Sequence, residues 1–135
     1  MEKRKLKEIA ASNSFAHHIG VELTDVADGY AAGRIRMEEH HTNIYNGMHG
    51  GCIYALADTV AGIAASTAGS YVTTVNGTLN YLLSVKDTEY VRCEAAAVRQ
   101  GNRITVLDVK IMNDEGELLS NGSFTYYSLN REIEE

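Results

Sequence analysis

The sequence predicts an α+β domain in which an antiparallel sheet wraps around one long central helix. Two observations carry this. Segments of strand character stand in the order two strands, one helix, four strands, and the links between the later strands are short and turn-like. The single long helical segment, Gly51–Ser66, is too apolar to lie beside a sheet in water and belongs against it.

Residues 2–16 read as a short helix with Leu6, Ile9, Ala10 and Phe15 toward one side. Val21–Ala27 and Tyr30–Met37 read as strands joined by Asp28-Gly29, a strong tight-turn pair. A polar loop, Glu38–Gly47, leads to the helix. Beyond it the strands are Tyr71–Val85, Glu89–Arg99, Arg103–Met112 and Glu117–Leu129, with turns at Gly101-Asn102 and Asn113–Gly116. Thr105, Leu107, Val109 and Ile111 alternate with more polar neighbours, as one core-facing strand side requires. Residues 130–135 form a charged tail that is expected to fray. No repeat or linker divides the chain, so residues 1–135 are expected to be a single domain.

A net charge of −6 argues against a nucleic-acid partner, since no basic face offsets phosphate repulsion. No apolar run approaches the roughly 18–20 residues that span a bilayer, and no apolar stretch follows the basic start as in a signal peptide. A cytoplasmic protein without a membrane partner is expected. Cys52 and Cys93 are the only cysteines, too few for a disulfide framework and not at zinc spacing. His17-His18 and His40-His41 lack further ligands at metal spacing and read as solvated loop histidines, so no metal is expected.

The central helix carries the functional information. On a helical wheel Ile53, Leu56, Val60, Ile63 and Ala64 form the core side, and Tyr54, Asp58, Ala61, Gly62 and Ala65 face the other way. That second side holds one charge, Asp58, among small and apolar residues. A surface helix would show several Lys or Glu there, so the face is expected to be covered, and a second subunit is the natural cover. The helix entry, Asn43 to Gly51, ends in His49-Gly50-Gly51. Helix N-termini expose unpaired N–H groups, and glycines let a ligand reach the backbone, which suits a developing oxyanion.

Asn43, then His49-Gly50-Gly51, then Leu56-Ala57-Asp58 resembles the hotdog-fold acyl-CoA thioesterases of the phenylacetate-pathway (PaaI-like) type. The resemblance runs from about Ile19 to Leu129 and includes the Gly-Asn-Arg turn at 101–103. It implies hydrolysis of acyl thioesters, with CoA as part of the substrate and no other cofactor. By resemblance the Gly50 N–H and the Asn43 side chain polarise the thioester carbonyl. Asp58 acts as general base or nucleophile, Thr74 stands near the water, and His49 positions the loop. Gly51, Tyr54, Asn102 and Arg103 are the expected substrate contacts, and the family's sites are dimeric. Homodimers and homotetramers both fit this expectation.

Helix geometry agrees independently. Gly50 and Asp58 stand eight residues apart, hence ~12 Å along one helix, whereas both must lie about 3 Å from one reacting carbon. They can act together only from different subunits. Cys52, in the first turn of the helix, has no base placed beside it. Thr74, Asn76, Thr78 and Asn80 are expected on one strand face. Tyr45, Tyr54, Tyr71 and Tyr81 are candidates to line an acyl pocket. A dehydratase of the same fold is disfavoured because its proline-containing loop is absent from a chain with no proline. A non-catalytic acyl-CoA sensor is the remaining alternative.

Overall fold

The computed structural model describes residues 2–134. It opens with two helices, α1 (Lys3–Ser12) and α2 (Ser14–Ile19), where the sequence suggests one. Asn13 makes the break. Its backbone is extended, and its side-chain oxygen accepts from the Ala16 N–H at 3.1 Å, so it caps α2 instead of continuing α1. Gly20, in the left-handed region at φ +85°, ends α2.

Six strands follow in one antiparallel sheet around the long helix. They are β1 (Val21–Ala27), β2 (Tyr30–Arg36), β3 (Ser70–Tyr81), β4 (Tyr90–Gln100), β5 (Ile104–Met112) and β6 (Leu118–Glu132). The order across the sheet is β1-β2-β4-β5-β6-β3, which leaves β1 and β3 at the edges. The helix α3 (Gly50–Ser66) touches every strand. Leu56, Ala57, Val60, Ala61 and Ala64 are fully buried there, against Val91, Leu107, Ile111 and Phe124 of the sheet. Gly33 permits a close approach of β2, because a Cβ at that position would come 2.8 Å from Val60 Cγ2.

Four further expectations change. Ala61 and Ala65 lie in the core rather than beside Asp58, because α1, α2 and the sheet together cover more of α3 than one sheet would. β3 ends at Tyr81 rather than Val85. The N–H groups of Leu82 and Leu83 both donate to the Leu119 carbonyl, and Val85 then turns inward to accept from the Met48 N–H at 3.0 Å. β6 continues to Glu132, so most of the expected free tail is ordered. Ile133 is buried and its N–H donates to the Gly69 carbonyl at 2.8 Å. Finally, the β3–β6 register shifts between Thr74 and Asn76, which makes Val75 a bulge. Thr74 therefore shares the inner face with Tyr126, while Asn76, Thr78 and Asn80 share the outer face with Thr125, Ser123 and Asn121.

Candidate active site

Asp58 sits half-buried in the middle of α3, and two hydroxyls converge on one of its oxygens. Thr74 donates to Asp58 Oδ1 at 2.8 Å from the inner face of β3. Tyr126, from β6, donates to the same Oδ1 at 2.7 Å and also lies 2.7 Å from the Asp58 carbonyl oxygen. Among the described residues nothing bonds Oδ2, which is left for water or substrate. The Val75 bulge is what allows this. An uninterrupted β3 could not place Thr74 inward and Asn76, Thr78 and Asn80 outward.

Tyr126 was not singled out by the sequence, where it reads as one more inward strand position after Phe124. The available signal was chemical: a buried tyrosine needs a partner for its hydroxyl, and the isolated carboxylate needs a donor. Burial, then the nearby Asp58 charge, pushes the Tyr126 hydroxyl far above the ordinary tyrosine range. It remains a donor at any working pH.

The other half of the site is the entry to α3. His49 caps the helix, its Nδ1 accepting from the Gly51 N–H at 2.8 Å. The Gly51 amide is thus engaged, while the Gly50 N–H meets no acceptor among the described residues. The His49 carbonyl accepts from both Cys52 and Ile53, which polarises the His49–Gly50 peptide and makes the Gly50 N–H a better donor. Tyr81 supports this turn from the end of β3, its hydroxyl donating to the Gly50 carbonyl at 2.8 Å. Asn43 folds the preceding loop. Its side-chain oxygen accepts from the N–H groups of Tyr45 (2.8 Å) and Gly47 (3.2 Å), so its amide NH₂ is the part left for a ligand.

The two halves lie in different grooves of the chain. Asn43 and Gly50 line one of about 340 Å³ beside Leu82 and Leu83. Asp58 and Thr74 line another of about 280 Å³, between the N-terminal helices and β3. Tyr54 lines neither. It is half-buried against Phe124, and its hydroxyl donates to the Gly77 carbonyl of β3. Asn102 is exposed, and Arg103 reaches the Tyr127 hydroxyl at 3.0 Å on the outer side of the sheet, away from both grooves.

The remaining candidates resolve by environment. Burial pushes the Cys52 thiol up to about 11, the wrong direction for a nucleophile. His17 and His18 are exposed on α2, not in a loop. His40 is exposed, but His41 is buried, contrary to the solvated reading. Ligand atoms of Glu38, His40 and His41 come within 4.8 Å of one another. Even so, His41 Nδ1 accepts from the Glu38 N–H and Nε2 donates to the Ile19 carbonyl, so neither ring nitrogen is free for a metal.

A long helix wrapped by a six-stranded antiparallel sheet defines a hotdog-fold protein. Residues 45–120, more than half of the chain, match the model of the thioesterase superfamily, and the chain belongs to that family. It is a thioester hydrolase by that membership. Human acyl-coenzyme A thioesterase 13 is 25% identical over 89% of this chain and 89% of its own length. The Escherichia coli PaaI structure, from the phenylacetic acid degradation operon, superposes with a TM-score of 0.91 at 18% identity. It covers 97% of this chain and 95% of that one, and at this identity the likeness shows the fold. A hypothetical thioesterase of Streptococcus pneumoniae, solved with coenzyme A, matches with a TM-score of 0.79 at 25% identity over 84% of this chain and 89% of its own. No described helix is long and apolar enough to cross a membrane.

Proposed function

We propose that the chain hydrolyses acyl-CoA thioesters to a carboxylic acid and free CoA, at sites shared by two subunits, in the cytoplasm. The observation that carries the reading is the Asp58 carboxylate, held through Oδ1 by two hydroxyls and open at Oδ2. A carboxylate fixed in this way is oriented for one task.

The Gly50 N–H and the Asn43 amide of one subunit polarise the thioester carbonyl. Asp58 of the other acts on it. As general base, Asp58 Oδ2 takes a proton from water while the water oxygen bonds to the carbonyl carbon. Negative charge gathers on the carbonyl oxygen, where the two donors stabilise it. The C–S bond then breaks and the proton passes to the departing thiolate. As nucleophile, Oδ2 bonds to carbon itself, the thiolate leaves, and water cleaves the resulting anhydride. Thr74 and Tyr126 orient the carboxylate in either case, and His49 shapes the turn. Gly51 lets the substrate approach the backbone.

The edge strand β3 is suited to a dimer. This edge strand of 12 residues carries no charged side chain to block a second copy. Strands joined edge to edge across a two-fold axis would carry each Asp58 toward the partner's helix entry. A tetramer would be a further assembly of such dimers.

The test is turnover of acyl-CoAs followed with a thiol-reactive dye. Wild type should release CoA and plain carboxylate, and Asp58→Asn should lose at least ~10²-fold in kcat with its melting temperature kept. Tight binding without release would make the protein a sensor instead, and undiminished turnover by a folded Asp58→Asn would remove Asp58 from the chemistry.

A further inference from the structure

Gly50 supplies the amide of the proposed oxyanion site, and glycine is the residue least able to hold its own backbone in one orientation. Where its N–H points is set by the two peptide planes that meet at its Cα. The plane before it is pinned at the His49 carbonyl, which accepts from the N–H groups of Cys52 (2.9 Å) and Ile53 (3.1 Å). The plane after it is held at both ends. There the Gly51 N–H donates to His49 Nδ1 at 2.8 Å, and the Gly50 carbonyl accepts from the Tyr81 hydroxyl at 2.8 Å. Of these bonds only the last reaches in from another element, since Tyr81 closes β3.

The Tyr81 ring stands against the same glycine. A Cβ added to Gly50 would lie 3.5 Å from Tyr81 Cε1 and Cζ, so the ring flanks Gly50 while its hydroxyl bonds the carbonyl. Burial, then the neighbouring Tyr54, pushes the Tyr81 hydroxyl above the ordinary tyrosine range, which keeps it a donor. Phenylalanine would cover Gly50 as well; the hydroxyl adds a bond to the plane whose tilt aims the amide. The same strand holds Asp58 through Thr74 at 2.8 Å, so β3 orients both reacting halves. Resting on the thioesterase reading above, we propose that Tyr81 is a positioning residue for the oxyanion donor, acting through the Gly50 carbonyl to aim the Gly50 N–H at the thioester oxygen. The aim matters most once charge has gathered on that oxygen, so the hydroxyl acts on kcat more than on substrate affinity.

The experiment is Tyr81→Phe, which keeps the ring and deletes the hydroxyl. With the acyl-CoA that wild type turns over best, kcat should fall about tenfold while KM stays within about twofold and the melting temperature is kept. A ketone analogue of that substrate, with CH₂ in place of sulfur, gives a second readout. Donors polarise its carbonyl and lower the infrared stretching frequency, and in Tyr81→Phe the band should move back toward its position in buffer. A thioether analogue lacking the carbonyl should bind both proteins within about twofold. If Tyr81→Phe does not fold, a ring-fluorinated tyrosine at position 81 keeps the shape and makes the hydroxyl more acidic. Its kcat should then fall as pH rises through that lowered pKa, where wild type holds. A kcat within about twofold of wild type, an unmoved carbonyl band, or equal weakening of the ketone and thioether analogues would overturn the positioning role. Absence of wild-type turnover with every acyl-CoA would instead remove the reading on which it rests.

Discussion

The Tyr126 hydroxyl stands 2.7 Å from Asp58 Oδ1 and 2.7 Å from the same residue's carbonyl oxygen. One side chain from β6 thus holds both the carboxylate and the helix backbone that carries it. Its ring is buried, so the clamp is part of the core and not a surface contact.

Tyr126→Phe should keep the fold and lower kcat. A hydrogen bond to a charged group contributes about 1.5–3 kcal/mol, which corresponds to roughly 10- to 150-fold in rate if it acts only through Asp58 orientation. Steady-state kinetics alongside thermal melting checks this. Turnover within twofold of wild type would show that Thr74 alone suffices.

Asn43 has separable tasks, since its oxygen folds the loop and its amide meets no acceptor among the described residues. Asn43→Asp keeps the acceptor and deletes the donor, whereas Asn43→Ala deletes both. Both should lose ~10²–10³ in kcat, the scale for removing an oxyanion donor. Full activity in Asn43→Asp would reduce Asn43 to a loop former, and a change confined to KM would make it a uniform binding contact.

His41 makes stability pH-dependent. Burial lowers its pKa, and the neutral ring joins the Ile19 carbonyl at the end of α2 to the Glu38 N–H before the helix entry. The unfolded chain takes up a proton below about pH 6.5, while the folded chain resists it. The stabilisation is therefore complete above that pH and is lost as pH falls toward the lower folded value. Melting temperature should drop from pH 7.5 to 5, and His41→Gln, less stable at pH 7.5, should show a flatter profile. Identical slopes in the two proteins would contradict this role.

What the sequence reveals here follows from which signals are local. Asp58 stands out because no other charge shares its helix face. The Asp28-Gly29 turn and the alternation of Thr105, Leu107, Val109 and Ile111 report their own conformation, and the structure has them as expected. Failures occur where one residue breaks a periodic rule. Alternation groups Thr74 with Asn76, Thr78 and Asn80, and the bulge at Val75 separates them. Asn13, a good capping residue inside a helical pattern, splits the N-terminal helix. Ile133, one apolar residue among charges, anchors a tail that composition alone describes as free. Tyr126 is the instructive omission. Its partner lies 68 residues away on another element, and only the folded sheet brings the two together.

Each proposed site draws Asp58 from one chain and Asn43 with Gly50 from the other, and subunit complementation tests this arrangement. Asp58→Asn and Asn43→Ala, each nearly inactive, are mixed under conditions that exchange subunits, with exchange verified by mass. In a mixed dimer one site collects both defects and the other neither. Activity should rise toward half that of a wild-type dimer for each heterodimer formed. Verified exchange with activity remaining at the level of the two parents would place Asp58 and Asn43 of each site in a single chain.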